Sequence, residues 1–446
     1  MKKKIIIVGL GKTGFCVLDY FVSQDVSIEV FDLKTDYDSN KIANIAQKFD
    51  VIFNLGMNPS GNEEVDLVVM SPGISLELDF VKKFLSRNIE VTGEIELAYR
   101  YGKGKFIGIT GTNGKTTTTT LVGEIFKAYQ ADTKVVGNIG YPALEQAIKS
   151  SKDSFLITEL SSFQLESIKE FRPNISAILN ITEDHLNRHK TMKRYQEAKF
   201  RVFENQLEDD FLVLNYDDWC LRLSQVEVKP KIIFFSRKDI LDEGIYVEDG
   251  KIVANIINKK EYIMDIKEIL LLGNHNLENI LAAIAIAVIA GIDKNIIRHE
   301  IIKFKGVEHR LELVRSYKNV DYINDSKATN PDSSIKALEA MTKPVILIAG
   351  GMNKKSDYSE FIDGCILKVK HLVLIGETKD IIENIAISKG LFNITKVNDM
   401  KDAVQVAFDK AKAGEVVLLS PASASMDMYD NFEHRGKDFK KYVLNL

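Results

Sequence analysis

The chain has 446 residues, 45% of them hydrophobic and 27% charged, with a formal net charge of −4. That length exceeds one ordinary core and predicts about three domains, while the balance is that of a soluble globular protein with no basic field for nucleic acid. Cys16, Cys220 and Cys365 are far apart and odd in number, so they form neither a zinc pattern nor a disulfide framework and fit a reducing compartment.

From the start, Lys2-Lys3-Lys4 and Ile5-Ile6-Ile7-Val8 could pass for a secretory leader, but Gly9, Gly11 and Lys12 interrupt the apolar run at once. A first buried strand is the better reading. Lys4–Val8, Ser27–Phe31 and Leu67–Met70 predict the strands of one α/β unit. Phe106–Thr110, Phe155–Thr158, Ile175–Ile181, Phe211–Leu214 and Ile232–Phe235 predict a second set, and Tyr322–Ile323, Val345–Ala349, Leu372–Ile375 and Val416–Leu419 a third. Apolar runs alternating with helical patterns argue for parallel sheets covered by helices. Breaks at Tyr101–Lys105 and Lys305-Gly306 suggest domains at 1–95, 96–306 and 307–446. Ile280–Gly291, the longest apolar stretch, is Ala-rich and well short of the ~20 residues that span a bilayer. It predicts a buried helix, and a cytoplasmic location is the default.

Gly9-Leu10-Gly11-Lys12-Thr13-Gly14 follows a strand, opens a helix and has Asp32 at the end of the next strand. This is the dinucleotide fingerprint, and alone it would predict an NAD-dependent oxidoreductase. Its physical content is narrower: a helix N-terminus offers N–H groups to any phosphate, including a nucleotide-sugar diphosphate. A second loop, Gly111-Thr112-Asn113-Gly114-Lys115-Thr116, joins the strand ending at Thr110 to a helix that opens with a threonine run through Thr120. Its backbone amides suit phosphates, Lys115 the β/γ oxygens and the Thr116 hydroxyl a Mg²⁺ ion. The strict triphosphate-loop spacing fails, because Ile109 stands where a glycine is expected. Hydride transfer has no evident need of such a loop.

Seven strings then occur in order: the second loop, Gly137-Asn138-Ile139-Gly140, Glu159-Leu160-Ser161-Ser162-Phe163-Gln164-Leu165-Glu166, Asn180-Ile181-Thr182-Glu183-Asp184-His185, His309-Arg310, Asn324-Asp325-Ser326-Lys327-Ala328-Thr329-Asn330, and Ser420-Pro421-Ala422-Ser423-Ala424-Ser425. Together they resemble the Mur ligase family along nearly the whole chain. The resemblance implies three α/β domains: an N-terminal Rossmann-like domain for a UDP-sugar, a central P-loop sheet for ATP, and a C-terminal Rossmann-like domain for an amino acid. It also implies an ATP-dependent ligase that makes an amide through an acyl phosphate.

The same resemblance assigns roles. Gly111, Thr112, Asn113, Gly114, Lys115, Thr116 and Thr117 would hold ATP, with Asn276 and Asn279 near the adenine nucleotide and Arg310 and Asp325 completing the site. Asn276 and Asn279 share one helical face, and capping by Asn274 or Asn276 is the bland alternative. Two Mg²⁺ ions are expected on Thr116, Glu159, His185 and Lys199, the last carbamylated, although Lys199 looks like any exposed helix lysine. Lys115, Glu159, His185 and Lys199 are thus the expected catalytic set. His189 matches no family position and is read as surface.

Lys12, Thr13, Asp32, Ser71, Asn138, Gln164 and His185 are the expected contacts of the sugar nucleotide, UDP-N-acetylmuramoyl-L-alanine. The 324–330 string points to D-glutamate as the amino acid, and the Asp-Asn-Pro-Arg string of lysine- and diaminopimelate-adding members is absent. Thr329, Lys354, Ser425 and Phe432 would receive the glutamate, with Lys355 an alternative to Lys354. A monomer is expected, with no nucleic acid and no membrane span. The rivals are a superfamily ligase with another substrate, the NAD-dependent oxidoreductase, and a non-enzymatic nucleotide switch.

Overall fold

The computed structural model describes residues 2–222, 228–256, 259–271 and 273–446. They build three sheets. The first contains β1 (Lys3–Val8), β2 (Val26–Asp32), β3 (Val51–Leu55), β4 (Leu67–Met70) and β5 (Glu90–Gly93), in the order β3-β2-β1-β4-β5. All its pairings are parallel, so both faces need cover. Ile5 to Val8 are accordingly buried without a break.

The second sheet comprises β6 (Lys105–Thr110), β7 (Thr133–Gly137), β8 (Phe155–Glu159), β9 (Ile175–Ile178), β10 (Phe211–Asn215), β11 (Lys231–Ser236), β12 (Gly244–Glu248), β13 (Lys251–Ile256) and β14 (Lys259–Asp265). Its order is β14-β13-β12-β11-β10-β9-β6-β8-β7. The strands from β6 to β12 pair in parallel, and β12, β13 and β14 form an antiparallel meander. In the third sheet, β15 (Glu312–Tyr317), β16 (Val320–Asn324), β17 (Val345–Gly350), β18 (Val369–Ile375), β19 (Ile394–Lys396) and β20 (Val416–Leu419) run in the order β15-β16-β20-β17-β18-β19. Only β15 is antiparallel there.

The mixed α/β class and the three sheets follow the sequence reading. The strands it lacked are β3, β5, β7, the β12–β14 meander, β15 and β19, most of them half-exposed or short. The strand predicted to reach Ile181 stops at Ile178. The Ala-rich segment is a helix over Asn274–Ile289, buried from Ile280 to Ala287. It starts at Asn274, leaving Asn276 inside the first turn. No helix among the described residues is long and apolar enough to cross a membrane.

By packing, the chain forms two compact units. The first comprises 1–181, 185–266 and 278–301, and the second 182–184, 267–277 and 302–446. The first two sheets therefore belong to one unit and share a core running from Ile5 and Leu18 through Phe106 and Phe171 to Leu214. Burying each such side chain contributes about 1.5–3 kcal/mol.

Candidate active site

Parallel α/β sheets bind ligands beyond the carboxyl ends of their strands, where the order reverses. In the second sheet that place is β6, flanked by β8 and β9. Just past β6, Gly111–Gly114 turns the chain into the helix Lys115–Tyr129. Gly114 has φ +85°, and a Cβ there would lie 2.1 Å from Asn279 Oδ1, so the close seating of Asn279 requires glycine. Asn180 braces the loop: its carbonyl accepts from Thr112 N–H (2.9 Å), its Oδ1 from Asn113 N–H (2.8 Å), and its Nδ2 donates to Asn113 O (3.0 Å). Thr116 and Thr117 are buried in the helix's first turn, and Thr117 Oγ1 has no partner among the described residues.

Two lysines converge on one carbonyl. Lys115 Nζ donates to the carbonyls of Gly111 and Thr112 (both 2.7 Å), and Lys199 Nζ donates to Gly111 O from 2.8 Å. Lys199 is 1% exposed, on the helix Met192–Phe200, with its ammonium over the Tyr195 ring. The exposed lysine suggested by its sequence setting is therefore fully inside.

Glu159 ends β8, the strand beside β6. Its Oε1 accepts from Asn138 Nδ2 (2.7 Å), whereas Oε2 is buried with no partner among the described residues. A buried carboxylate oxygen without a donor is costly, and a cation is what would satisfy it. His185 has φ +55° and stacks edge-on against Phe163 at 4.9 Å. His189 corrects the sequence reading: it is buried rather than on the surface, with Nε2 2.9 Å from Ser162 Oγ. Its partner lies in a separate segment, which no local pattern reveals.

The other expected residues of the first unit line its N-terminal sheet. Asp32 accepts from Leu10 N–H (2.6 Å) and Lys34 N–H (2.7 Å). Burial pushes its carboxyl up, but these amides and the Tyr37 hydroxyl outweigh burial and hold it below the usual carboxylate range. Ser71 Oγ donates to Gly9 O (3.0 Å), fixing the first glycine loop to the loop after β4, and Lys12 Nζ donates to Gly140 O (2.6 Å). Gly14 must be glycine, because a Cβ would meet Gly9 O at 1.9 Å. Thr13, Gln164, Glu94 and Ser167 help to line a cavity of about 10 Å³, near the size of one water. Gln164 Oε1 also closes a capping box with Ser161. Thus Asp32, Asn138 and Gln164, chosen as ligand contacts, each also hold protein groups.

In the second unit, Asp325 is buried, with Leu311 N–H (3.2 Å) and Ser420 Oγ (2.8 Å) donating to its two oxygens. Burial raises its carboxyl to about 7 against the opposing effect of Arg310. Asn276 groups with this unit and Asn279 with the first. Thr329 and Lys354 are half-buried and Ser425 is buried. Phe432 begins the helix Phe432–Leu444, and its carbonyl accepts from Ser326 Oγ (2.8 Å). Arg435 escaped the sequence reading altogether. It is fully buried and donates to Ser326 Oγ and to the carbonyls of Ser326, Ser423 and Ala424, joining the 324–330 and 420–425 strings. Among the described residues, Glu308, His309 and Glu312 could also hold a cation by geometry. Lys440 already bridges the two carboxylates, and an ion-pair brace is the simpler reading.

A glycine turn from strand into helix beside a buried, unsatisfied acid, in one of three α/β sheets, is an arrangement suited to a nucleotide-dependent enzyme, and comparison with known proteins specifies the class. Three family models match in succession: the Mur ligase MurD-like N-terminal domain over residues 3–93, the Mur ligase middle domain over 109–287, and the Mur ligase glutamate ligase domain over 309–423. The chain belongs to the Mur ligase family. Its relatives include proteins named UDP-N-acetylmuramoylalanine–D-glutamate ligase: that of Clostridioides difficile (strain 630) is 50% identical, covering 100% of this chain and 99% of that protein. That of Alkaliphilus oremlandii (strain OhILAs) is 46% identical, with 100% and 99% covered. Among solved structures, a UDP-N-acetylmuramate–alanine ligase of Thermotoga maritima aligns with a TM-score of 0.60 at 18% identity, over 99% of both chains. A pseudomurein peptide ligase type C from Methanothermus fervidus gives 0.59 at 18%, over 100% of both. At such identities these two show a shared fold.

Proposed function

We propose that the chain is an ATP-dependent ligase joining D-glutamate to UDP-N-acetylmuramoyl-L-alanine in the cytoplasmic synthesis of peptidoglycan precursors. The substrates are taken from the names of the full-length relatives. The observation that carries the chemistry is Glu159, whose buried, unsatisfied Oε2 sits on the strand beside the phosphate loop.

An amide forms from a carboxylate only after activation. The substrate carboxylate takes the γ-phosphoryl group of ATP and ADP leaves. The glutamate nitrogen then attacks the acyl carbon, and the tetrahedral adduct expels phosphate as the nitrogen loses its protons. In this reading the amides of Gly111–Gly114, Lys115, Thr116 and Thr117 hold the triphosphate, and Asn276, Asn279, Arg310 and Asp325 hold the nucleoside and phosphate. Glu159, His185, Thr116 and a carbamylated Lys199 would hold two Mg²⁺ ions, which when bound neutralise charge on the transferring phosphoryl group. Converting Lys199 to a carbamate would replace a buried cation that shares an acceptor with Lys115 by an anion facing that lysine.

Lys12, Thr13, Asp32, Ser71, Asn138 and Gln164 would bind the sugar nucleotide, and Thr329, Lys354, Ser425 and the Phe432 backbone the glutamate. The boundaries 1–95, 96–306 and 307–446 and a monomeric state complete the proposal. Phosphate release from MgATP with UDP-N-acetylmuramoyl-L-alanine tests it, comparing D-glutamate with L-glutamate, L-lysine and diaminopimelate. Release should require both the sugar nucleotide and D-glutamate. Release with another amino acid would overturn the glutamate assignment.

A further inference from the structure

We propose that Arg188, Glu166 and His189 form a positioning triad that links the loop after β4 to His185, so that sugar-nucleotide binding and cation binding at His185 strengthen one another. The inference rests on the ligand assignments proposed above, and none of the three residues is among them.

The helical turn Leu186–His189 is bounded by two left-handed residues, His185 at φ +55° and Lys190 at φ +69°. Non-glycine residues keep such a backbone only where their surroundings impose it. Arg188 and His189 supply those surroundings. The Arg188 guanidinium donates to Ile74 O (2.9 Å) and Gly73 O (3.4 Å) on one side and to Glu166 Oε2 (2.6 Å) on the other, over the face of Phe163. Glu166 Oε1 lies 3.4 Å from His189 Nδ1, and His189 Nε2 faces Ser162 Oγ at 2.9 Å.

These contacts connect two places. Gly73 and Ile74 belong to the loop that Ser71 fixes to the first glycine motif through Gly9. At the other end, Ser162 follows closely on Glu159, and Phe163 packs against both His185 and His189. Both expected cation ligands are thus held by segments that meet at Glu166. A ligand that orders the Ser71–Ile74 loop also orders Arg188 and the turn carrying His185. The cation then meets a site already arranged, and by linkage the benefit is reciprocal. A merely structural ion pair would stabilise the fold without coupling the two ligands.

Mn²⁺ binding, read by electron paramagnetic resonance, separates these cases. The full chain is titrated with a non-hydrolysable ATP analogue present, with and without UDP-N-acetylmuramoyl-L-alanine. In the unaltered protein the sugar nucleotide should tighten Mn²⁺ binding roughly 10-fold, within the usual range of site-to-site coupling. Glu166→Gln should reduce that effect to about 2-fold or less, with little change in Mn²⁺ affinity when the sugar nucleotide is absent. His189→Asn, at the other end of the triad, provides the same reading if Glu166→Gln does not fold. Undiminished coupling in a folded variant would overturn the inference, as would absent coupling in a protein that turns over D-glutamate. Failure to turn over D-glutamate at all would instead count against the proposed function.

Discussion

The carbonyl of Gly111 accepts from Lys115 and from Lys199, residues far apart in sequence. Lys199 lies in Tyr195-Gln196-Glu197-Ala198-Lys199, a stretch typical of an exposed helix, and nothing local foretells its burial. With Lys199 as the carbamate proposed above, Lys199→Ala should reduce turnover at least ~100-fold, and acetate or formate should restore part of it by standing in for the carbamate oxygen. Full activity in the alanine variant would remove Lys199 from the site. His189 and Arg435 have the same lesson. Each is a polar side chain buried by partners in distant segments, Ser162 for one and the 326 and 423–424 backbones for the other. Their burial follows from the tertiary fold. The position of Glu159 is easier to read, because it ends an apolar strand, and strand ends face the ligand crevice in this architecture.

Elements were legible where they are buried on both faces. β1, β6, β17 and β20 are largely apolar runs, and glycine turns mark the ends of the first three. β14, with Lys259, Lys260 and Glu261, and the three-residue β19 gave no such signal, since an edge or solvent-facing strand needs few apolar residues. The strand-turn-helix at Gly111–Thr116 is legible despite its irregular spacing, because a strand, a tight turn and a Lys-Thr helix start occur together. Its geometry makes a sharp prediction. Gly114→Ala introduces a Cβ at φ +85° and 2.1 Å from Asn279 Oδ1. Affinity for an ATP analogue should fall at least ~10-fold, with a stability loss of more than about 1 kcal/mol. Calorimetry and thermal melting would measure both, and an unchanged affinity would argue against a nucleotide role for this loop.

At the scale of the molecule, stability should depend on pH through Asp325. Burial lifts its carboxyl to about 7 in the folded chain, while unfolding returns it to the ordinary value near 3.8. The folded state thus holds a proton that the unfolded state releases throughout that interval. Its contribution is fully present below the ordinary carboxylate value and is lost as pH rises through about 7, at up to about 1.4 kcal/mol per pH unit. Asp325→Asn should remove that slope. Urea unfolding of both proteins at several pH values would test this, and parallel pH profiles would contradict it.

The second compact unit is assembled from 182–184, 267–277 and 302–446, whereas the first is complete by residue 301. Translation therefore delivers every segment of the first unit before most of the second exists, and domains tend to fold as they emerge from the ribosome. Two short pieces of the second unit are made early and must wait for the rest. No single proteolytic cut can release that unit whole. A fragment beginning at 302 would lack two of its own segments, and should be less resistant to proteases than the same residues in the full chain.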